Sequence, residues 1–322
     1  MKIVNPSVEL YPQEDYTLEG IYKQIEKCAR VSYKSEDKMT ETSSKEFVDR
    51  LIKAGHYAPL EFGTVYLYLE VNPDNGLSKF EYPLAGFTAH YNWSNVVGNI
   101  AARYRTNQYS KVDSKIETST TKEGFVRVVD KYFITSNYRV IIENGWEDDL
   151  QFLCAPTEHH IKRLCVKFTT DIGAAREFTR HRTFSFMQES TRYCNYSKGK
   201  FNNELTFIKP YWYDKFNAPL DNTGHREDGT SDMFTSKDFE EFLMQCQCQY
   251  IAAIEAGARP QEARQILPLA TKTELVMCGF EEDWNYFFDL RLRGTTGAPH
   301  PDAKLLAQKA WDLLKENYGV EL

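Results

Sequence analysis

The sequence predicts a mixed fold of the α/β or α+β type, an antiparallel twisted sheet covered by helices, formed by a single domain over residues 1–322 with an insertion at about 72–164. Three observations predict it. Segments with the period of a strand are interspersed with segments of helical period. No Gly-x-Gly-x-x-Gly loop follows a strand, which argues against a doubly wound dinucleotide-binding sheet. A hydrophobic share of 42% and an aromatic share of 14% are ample for a packed core.

Taken in chain order, a strand is predicted from Thr64 to Val71, where Val65, Leu67, Leu69 and Val71 alternate with Tyr66, Tyr68 and Glu70, the two-residue period of one buried face. The stretches 110–123 and 217–237 are polar and read as surface loops or excursions. Neither is long or pure enough to be a linker between independent domains. Over 239–254, Phe239, Phe242, Leu243, Cys246, Tyr250, Ala253 and Ile254 recur at helical spacing, and Gly257 and Pro260 supply the stop. A turn at Leu267-Pro268 leads to a buried strand over 274–278 with the run Leu275-Val276-Met277. Trp284, Phe287 and Phe288 then fall at i, i+3, i+4 and predict a helix. A last helix carries Leu306, Ala310, Leu313 and Leu314 and stops near Gly319.

A net charge of −7 argues against a nucleic-acid binder that works through a broad positive field, so any phosphate contact must be local. The first residues lack the charged and apolar regions of a signal peptide, and no stretch is apolar enough to span a membrane. The seven irregularly spaced cysteines read as free thiols in a reducing cytoplasm, and Cys246 and Cys248 as core or helix-surface residues with no metal site.

One segment concentrates chemistry. From Asp171 to Tyr193, a helix capped by Thr170 or Asp171 is expected to run to about His181, with Arg176 and Arg180 on one face and Glu177 and His181 on the next. Beyond it come Arg182, Ser185, Gln188, Ser190 and Arg192. Hydroxyls and guanidinium forks suit a dianionic phosphate monoester, because charge-assisted hydrogen bonds are about twice as strong as neutral ones. Taken one at a time, each arginine better fits a helix C-terminus that answers the dipole and pairs with surface acids, and only the whole constellation favours the anion site.

The string Arg180-His181-Arg182, seven residues and then Ser190, continued by Arg192-Tyr193, resembles the signature of the flavin-dependent thymidylate synthases. The resemblance implies that family's fold, with Arg180, His181 and Arg182 on FAD. It implies that Glu177, Phe178, Thr179, Arg180, Gln188, Glu189, Ser190, Thr191 and Arg192 hold dUMP, with Gln188 and Tyr286 also beside the flavin. Upstream, Gly55-His56-Tyr57-Ala58-Pro59-Leu60-Glu61 is similar to the family's Gly-His-x-x-Pro-x-Glu-His element, so His56, Ala58 and Glu61 are expected at the flavin, although Phe62 stands where many members have His. Asn137-Tyr138-Arg139 is similar to an Asn-x-Arg stretch. Downstream, Glu262-Ala263-Arg264 and Leu267-Pro268 resemble an element whose arginine contacts dUMP, which assigns Arg264. Phe280, Glu281 and Glu282 stand where relatives commonly have Asn and Arg.

Arg291 can be weighed physically as well. It follows Trp284, Phe287 and Phe288 at i+7, on an apolar stripe where an unpaired charge is costly, so it must reach a carboxylate, a carbonyl or a ligand. Asp283 and Asp289 are candidate ion-pair partners. The resemblance instead implies that Arg291 contacts the uracil ring and is the catalytic residue. It further implies NADPH and methylenetetrahydrofolate as co-substrates and a homotetramer with shared active sites. Two other readings use the same residues: a non-catalytic nucleotide- or RNA-binding module built on the arginines, and a hydrolase pairing Ser190 with His181.

Overall fold

The computed structural model describes residues 1–71, 93–120, 126–219, 225–231 and 233–320, so part of the 72–164 stretch lies outside the described residues. In chain order the elements are β1 Lys2–Val4, β2 Ser7–Leu10, α1 Leu18–Val31, α2 Ser43–Lys53, β3 Thr64–Val71, α3 Trp93–Thr106, β4 Lys111–Thr120, β5 Val126–Asn137 and α4 Tyr138–Asn144. They continue with β6 Arg163–Asp171, α5 Ile172–Phe178, β7 Ser185–Gln188, β8 Thr206–Ile208, α6 Ser236–Glu255, α7 Pro260–Ala263, β9 Lys272–Phe280, α8 Glu281–Phe288 and α9 Pro301–Tyr318. The chain divides into two compact units, one of residues 1–11, 29–38 and 165–322, the other of residues 12–28 and 39–164.

The first unit holds a four-stranded sheet in the order β2-β6-β9-β7, in which β2 pairs with β6 and β7 with β9, both antiparallel. A separate two-stranded sheet pairs β1 with β8 in parallel. Helix α6 begins where Thr235 caps it, its hydroxyl accepting from the Asp238 amide at 3.2 Å while Asp238 returns a bond to the Thr235 amide. Leu243, Cys246, Gln247 and Tyr250 are buried on its inner face, and Leu243 and Tyr250 share a core cluster with Tyr196, Leu205 and Phe207. Gly319 closes α9 in the left-handed region at φ 69°, as the sequence predicts.

The second unit is a three-stranded antiparallel sheet in the order β3-β5-β4. β3 has the predicted bounds, and Val65, Leu67 and Leu69 form its core with Ile21, Ile25 and Ile134. Its other face is also largely covered: Tyr66 is buried, with its ring against Tyr16 and His160.

Two expectations are corrected. The polar stretch at 110–123 was expected to be a loop, yet 111–120 is strand β4. It pairs with β5 along its whole length while most of its residues stay in solvent. An edge strand without a buried face has no apolar alternation to show, and its Val, Ile and Thr content is the only trace of its conformation. The helix expected to reach His181 ends at Phe178. Asp171 caps it, its carboxylate accepting from the Ala174 amide at 2.8 Å.

Candidate active site

In the first unit, β6 and β9 are sheet neighbours and each runs straight into a helix, α5 and α8. The far ends of those helices supply the two halves of a partly buried ion pair. After α8 the chain makes one π turn, Asp289–Arg293, before Gly294 stops it at φ 71°. A π turn changes the angular step per residue, so Arg291 departs from the α-helical register that the sequence predicts. A Cβ on Gly294 would lie 2.9 Å from the Gly297 carbonyl oxygen, so this turn requires glycine.

Arg291 Nη1 donates to Glu177 Oε2 at 2.6 Å and Nη2 to the Glu177 carbonyl at 2.7 Å. Its Nε donates to His181 Nε2 at 3.1 Å. The demand for a carboxylate and a carbonyl is therefore met, but by Glu177 rather than by the expected Asp283 or Asp289. Asp283 instead accepts from the Phe280 amide at the start of α8, and Asp289 pairs with Arg293 at 3.1 Å.

A guanidinium only donates, so His181 Nε2 must accept and the neutral ring carries its proton on Nδ1. That Nδ1 is buried and has no hydrogen-bond partner among the described residues. Burial first, and then the positive charge of Arg291, pull the His181 pKa down to about 4. Folding thus favours the neutral ring. The stability so contributed is complete above the ordinary value of 6.5 and is lost as pH falls from there toward about 4. Replacing His181 by Gln is expected to flatten the acid limb of a melting-temperature profile. Identical acid limbs in the two proteins would contradict this account.

Aromatic rings pack around this group. The His181 ring stands edge-on to Phe287 at 5.0 Å and to the exposed Tyr286 at 6.2 Å. Phe184 meets Trp284 edge-on at 4.8 Å. Gly279 on β9 lets Phe184 approach, because a Cβ there would fall 2.6 Å from the ring. Gly279→Ala is therefore expected to destabilise the protein by about 1–3 kcal/mol through overpacking. Denaturant unfolding measures it, and an unchanged midpoint would refute the contact.

The remaining predicted residues separate clearly. Arg176, Arg180, Arg182 and Arg264 are exposed, and no side-chain bond or ion pair ties them to any other described residue. Among the other exposed arginines described, Arg50, Arg259 and Arg293 do find carboxylates, Arg259 reaching Glu262 at 2.6 Å. Thr179 is exposed and donates to the Arg176 carbonyl at 3.2 Å, whereas Phe178 is core, 5.0 Å from Phe168 and 5.1 Å from Phe287 between ring centroids. Gln188 on β7 donates to Thr273 Oγ1 at 3.2 Å. Ser190 Oγ accepts from the Arg192 amide at 3.3 Å, Arg192 Nε donates to Gln261 at 3.2 Å, and Thr191 is half-buried. The bond to Gln261 ties Arg192 to the short helix that precedes Arg264. Ser190 and His181 share no hydrogen bond, since His181 Nε2 is taken by Arg291, so they form no nucleophile and base.

His56, Ala58 and Glu61 lie in the second unit. His56 and Ala58 are exposed, and Ala58 opens a 3-10 turn, Ala58–Phe62. Glu61 Oε1 accepts from Arg139 Nη1 at 2.6 Å, and its carbonyl from Arg163 at 2.9 Å. Arg139 also reaches Glu143 at 2.9 Å, while Asn137 caps α4 by accepting from the Val140 amide at 3.2 Å. Two segments separately matched by resemblance, at Glu61 and at Asn137-Tyr138-Arg139, therefore meet in one ion pair.

The motifs do not single out Lys34, Lys167, Lys272 and Glu274. Lys272 Nζ lies 2.9 Å from Glu189 and 2.7 Å from Glu274, and Glu274 is 2.7 Å from Lys34. The readable trace was Lys272 and Glu274 at i, i+2, opposite charges on one face of an otherwise apolar strand.

The fold is of a mixed α/β class, and its first unit carries the fixed guanidinium of Arg291 together with the exposed Arg176, Arg180, Arg182 and Arg264. Residues 100–318 match the family described as thymidylate synthase complementing protein, and the chain belongs to that family. It is similar to a protein of Paramecium bursaria Chlorella virus 1 named "Probable flavin-dependent thymidylate synthase", 29% identical over 139 residues, covering 43% of this chain and 61% of that one. It is also similar to the flavin-dependent thymidylate synthase of Synechocystis, 27% identical over 154 residues, covering 45% and 64%. The chain thus spans less than two thirds of either relative. Among solved structures, a UMP/dUMP methylase PolB from Streptomyces cacaoi bound with 5-Br UMP aligns at a TM-score of 0.42 and 14% identity, covering 98% of this chain and 92% of that one. The same protein bound with 5-Br dUMP aligns at 0.39 and 14%, covering 98% and 93%. Among the described residues no group of His, Cys, Asp and Glu could hold a metal ion, and no helix is long and apolar enough to cross a membrane.

Proposed function

We propose that this chain is a flavin-dependent thymidylate synthase. It methylates dUMP to dTMP, taking the one-carbon unit from methylenetetrahydrofolate and the hydride from FAD reduced by NADPH, in the cytoplasm and as a homotetramer with shared active sites. Family membership and the similar proteins support this reading. The single observation that carries it is the setting of Arg291, a nearly buried guanidinium fixed by Glu177 and His181 on a unit that also presents four exposed arginines with no acid partner among the described residues.

Each residue then has a role set by its surroundings. Three of the five Arg291 N–H groups are spent on Glu177 and His181, which fixes the plane of the fork and leaves its other two for a ligand. Directed at a uracil carbonyl, they stabilise the charge that develops there when C6 accepts electrons. Because neutral His181 adds no second cation beside Arg291, the developing negative charge meets one oriented donor set. Arg180, Arg192 and Arg264 suit the phosphate, with Ser190 Oγ as a further donor.

The residues present also fit a flavin. The buried His181 Nδ1–H has no acceptor among the described residues, Tyr286 offers an exposed ring beside it at 59% relative exposure, and Arg180 and Arg182 suit a diphosphate. His56, Ala58, Glu61 and Gln188 complete the proposed set. When bound, the flavin supplies the hydride, and the protein contributes orientation, which in favourable cases is worth roughly 7 to 11 kcal/mol. The test is the visible spectrum of the purified protein. A band of oxidised flavin supports the proposal. A colourless protein that takes up no FAD in the presence of dUMP, yet binds dUMP, replaces it with the non-catalytic nucleotide-binding reading.

A further inference from the structure

Five residues of the first unit form a largely buried network of charge. Glu274 Oε2 accepts from Lys34 at 2.7 Å and its Oε1 from Lys272 at 2.7 Å, and Lys167 lies 3.6 Å from Oε2. Lys272 also holds Glu189 Oε2 at 2.9 Å, while the other Glu189 oxygen accepts from the Tyr196 hydroxyl at 3.1 Å. The Glu189 side chain is 1% exposed and that of Glu274 is 11% exposed, so neither carboxylate is left to a passing ion. Burial alone would raise the Glu274 carboxyl, but Lys272 first and then Lys34 hold it down to about 2.

The same residues carry the backbone anchors of the 188–192 segment. The Glu189 amide donates to the Glu274 carbonyl at 2.8 Å, and the Ser190 amide to the Ser32 carbonyl at 2.9 Å, two residues before Lys34. The charge network thus joins the two stretches to which this segment is bonded, β9 and the turn at 32–34. Glu189 does not fit as a ligand contact through its side chain, which is committed inside the protein. It fits as an anchor for Ser190 and Arg192, which follow it.

We infer that Lys272 and Glu189, with Glu274 and Lys34, are positioning residues that set the Ser190 and Arg192 donors where a nucleotide phosphate binds. The inference rests on the dUMP reading above only for the identity of the ligand. Breaking one partner of a buried pair leaves an uncompensated charge that the fold relieves by local opening, so the 188–192 segment should loosen first.

Hydrogen exchange of the ligand-free protein reads this directly. In Lys272→Met, and more mildly in Glu189→Gln, amides at 189–192 should exchange about tenfold faster or more, with those of β6 unchanged. Titration should then show the preference for dUMP over deoxyuridine falling about tenfold in Lys272→Met, because only dUMP carries the phosphate. Unchanged exchange at 189–192 in both variants overturns the inference. So does a uniform rise across the sheet, or an equal loss for both ligands, since either marks a residue that merely stabilises the fold. If wild-type protein binds no dUMP while exchange at 189–192 still responds, the nucleotide reading fails and the anchoring of the segment stands.

Discussion

Arg291→Ala is expected to abolish measurable dTMP formation, with a loss of about 10²–10³-fold or more, while the protein stays folded and retains FAD. The loss follows from removing a donor set aimed at the developing charge, which is where a fixed hydrogen bond is worth most. The fold should survive, because the Glu177 carboxylate left behind is 30% exposed and can be hydrated. His181 loses both the donor on its Nε2 and the neighbouring charge that depresses its pKa, so the acid limb of activity and stability should also move. Normal dTMP formation by the variant would contradict the assignment. A colourless variant would show that Arg291 supports the flavin rather than the uracil.

Arg264→Ala is expected to weaken dUMP binding by about 1.5 to 3 kcal/mol, the value of a hydrogen bond to a charged group. That is roughly ten- to a hundredfold in the dissociation constant. The side chain is exposed and makes no ion pair with a described residue, so its removal should leave the melting temperature unchanged. The contrast between lost affinity and unchanged stability separates a ligand contact from a structural one. Titration that finds equal affinity would remove Arg264 from the site, leaving Arg192, tied to Gln261 next to the same short helix, as the nearer candidate.

Much of the fold was legible where one physical signal dominated. The alternation of Val65, Leu67, Leu69 and Val71, which face a core, marks β3, and the stop of the C-terminal helix is marked by an apolar stripe that ends at a glycine in the left-handed region. β4 was not legible, because a solvent-facing edge strand carries no burial pattern. The helix at 172–178 was read too long because Glu177 and His181 look like helical neighbours, yet they converge on Arg291 from a helix end and the turn after it. For the site, sequence spacing found that Arg291 needed a partner, while the π turn that selects Glu177 leaves no local mark in the sequence. The Lys272 and Glu274 network was harder still, since its partners come from Lys34 and Glu189, far apart along the chain.

The most direct measurement is release of tritium from dUMP labelled at C5, which accompanies methylation of that carbon. The account predicts release that requires both methylenetetrahydrofolate and NADPH and that disappears in Arg291→Ala. No release from a folded protein supplied with FAD and both co-substrates would contradict it.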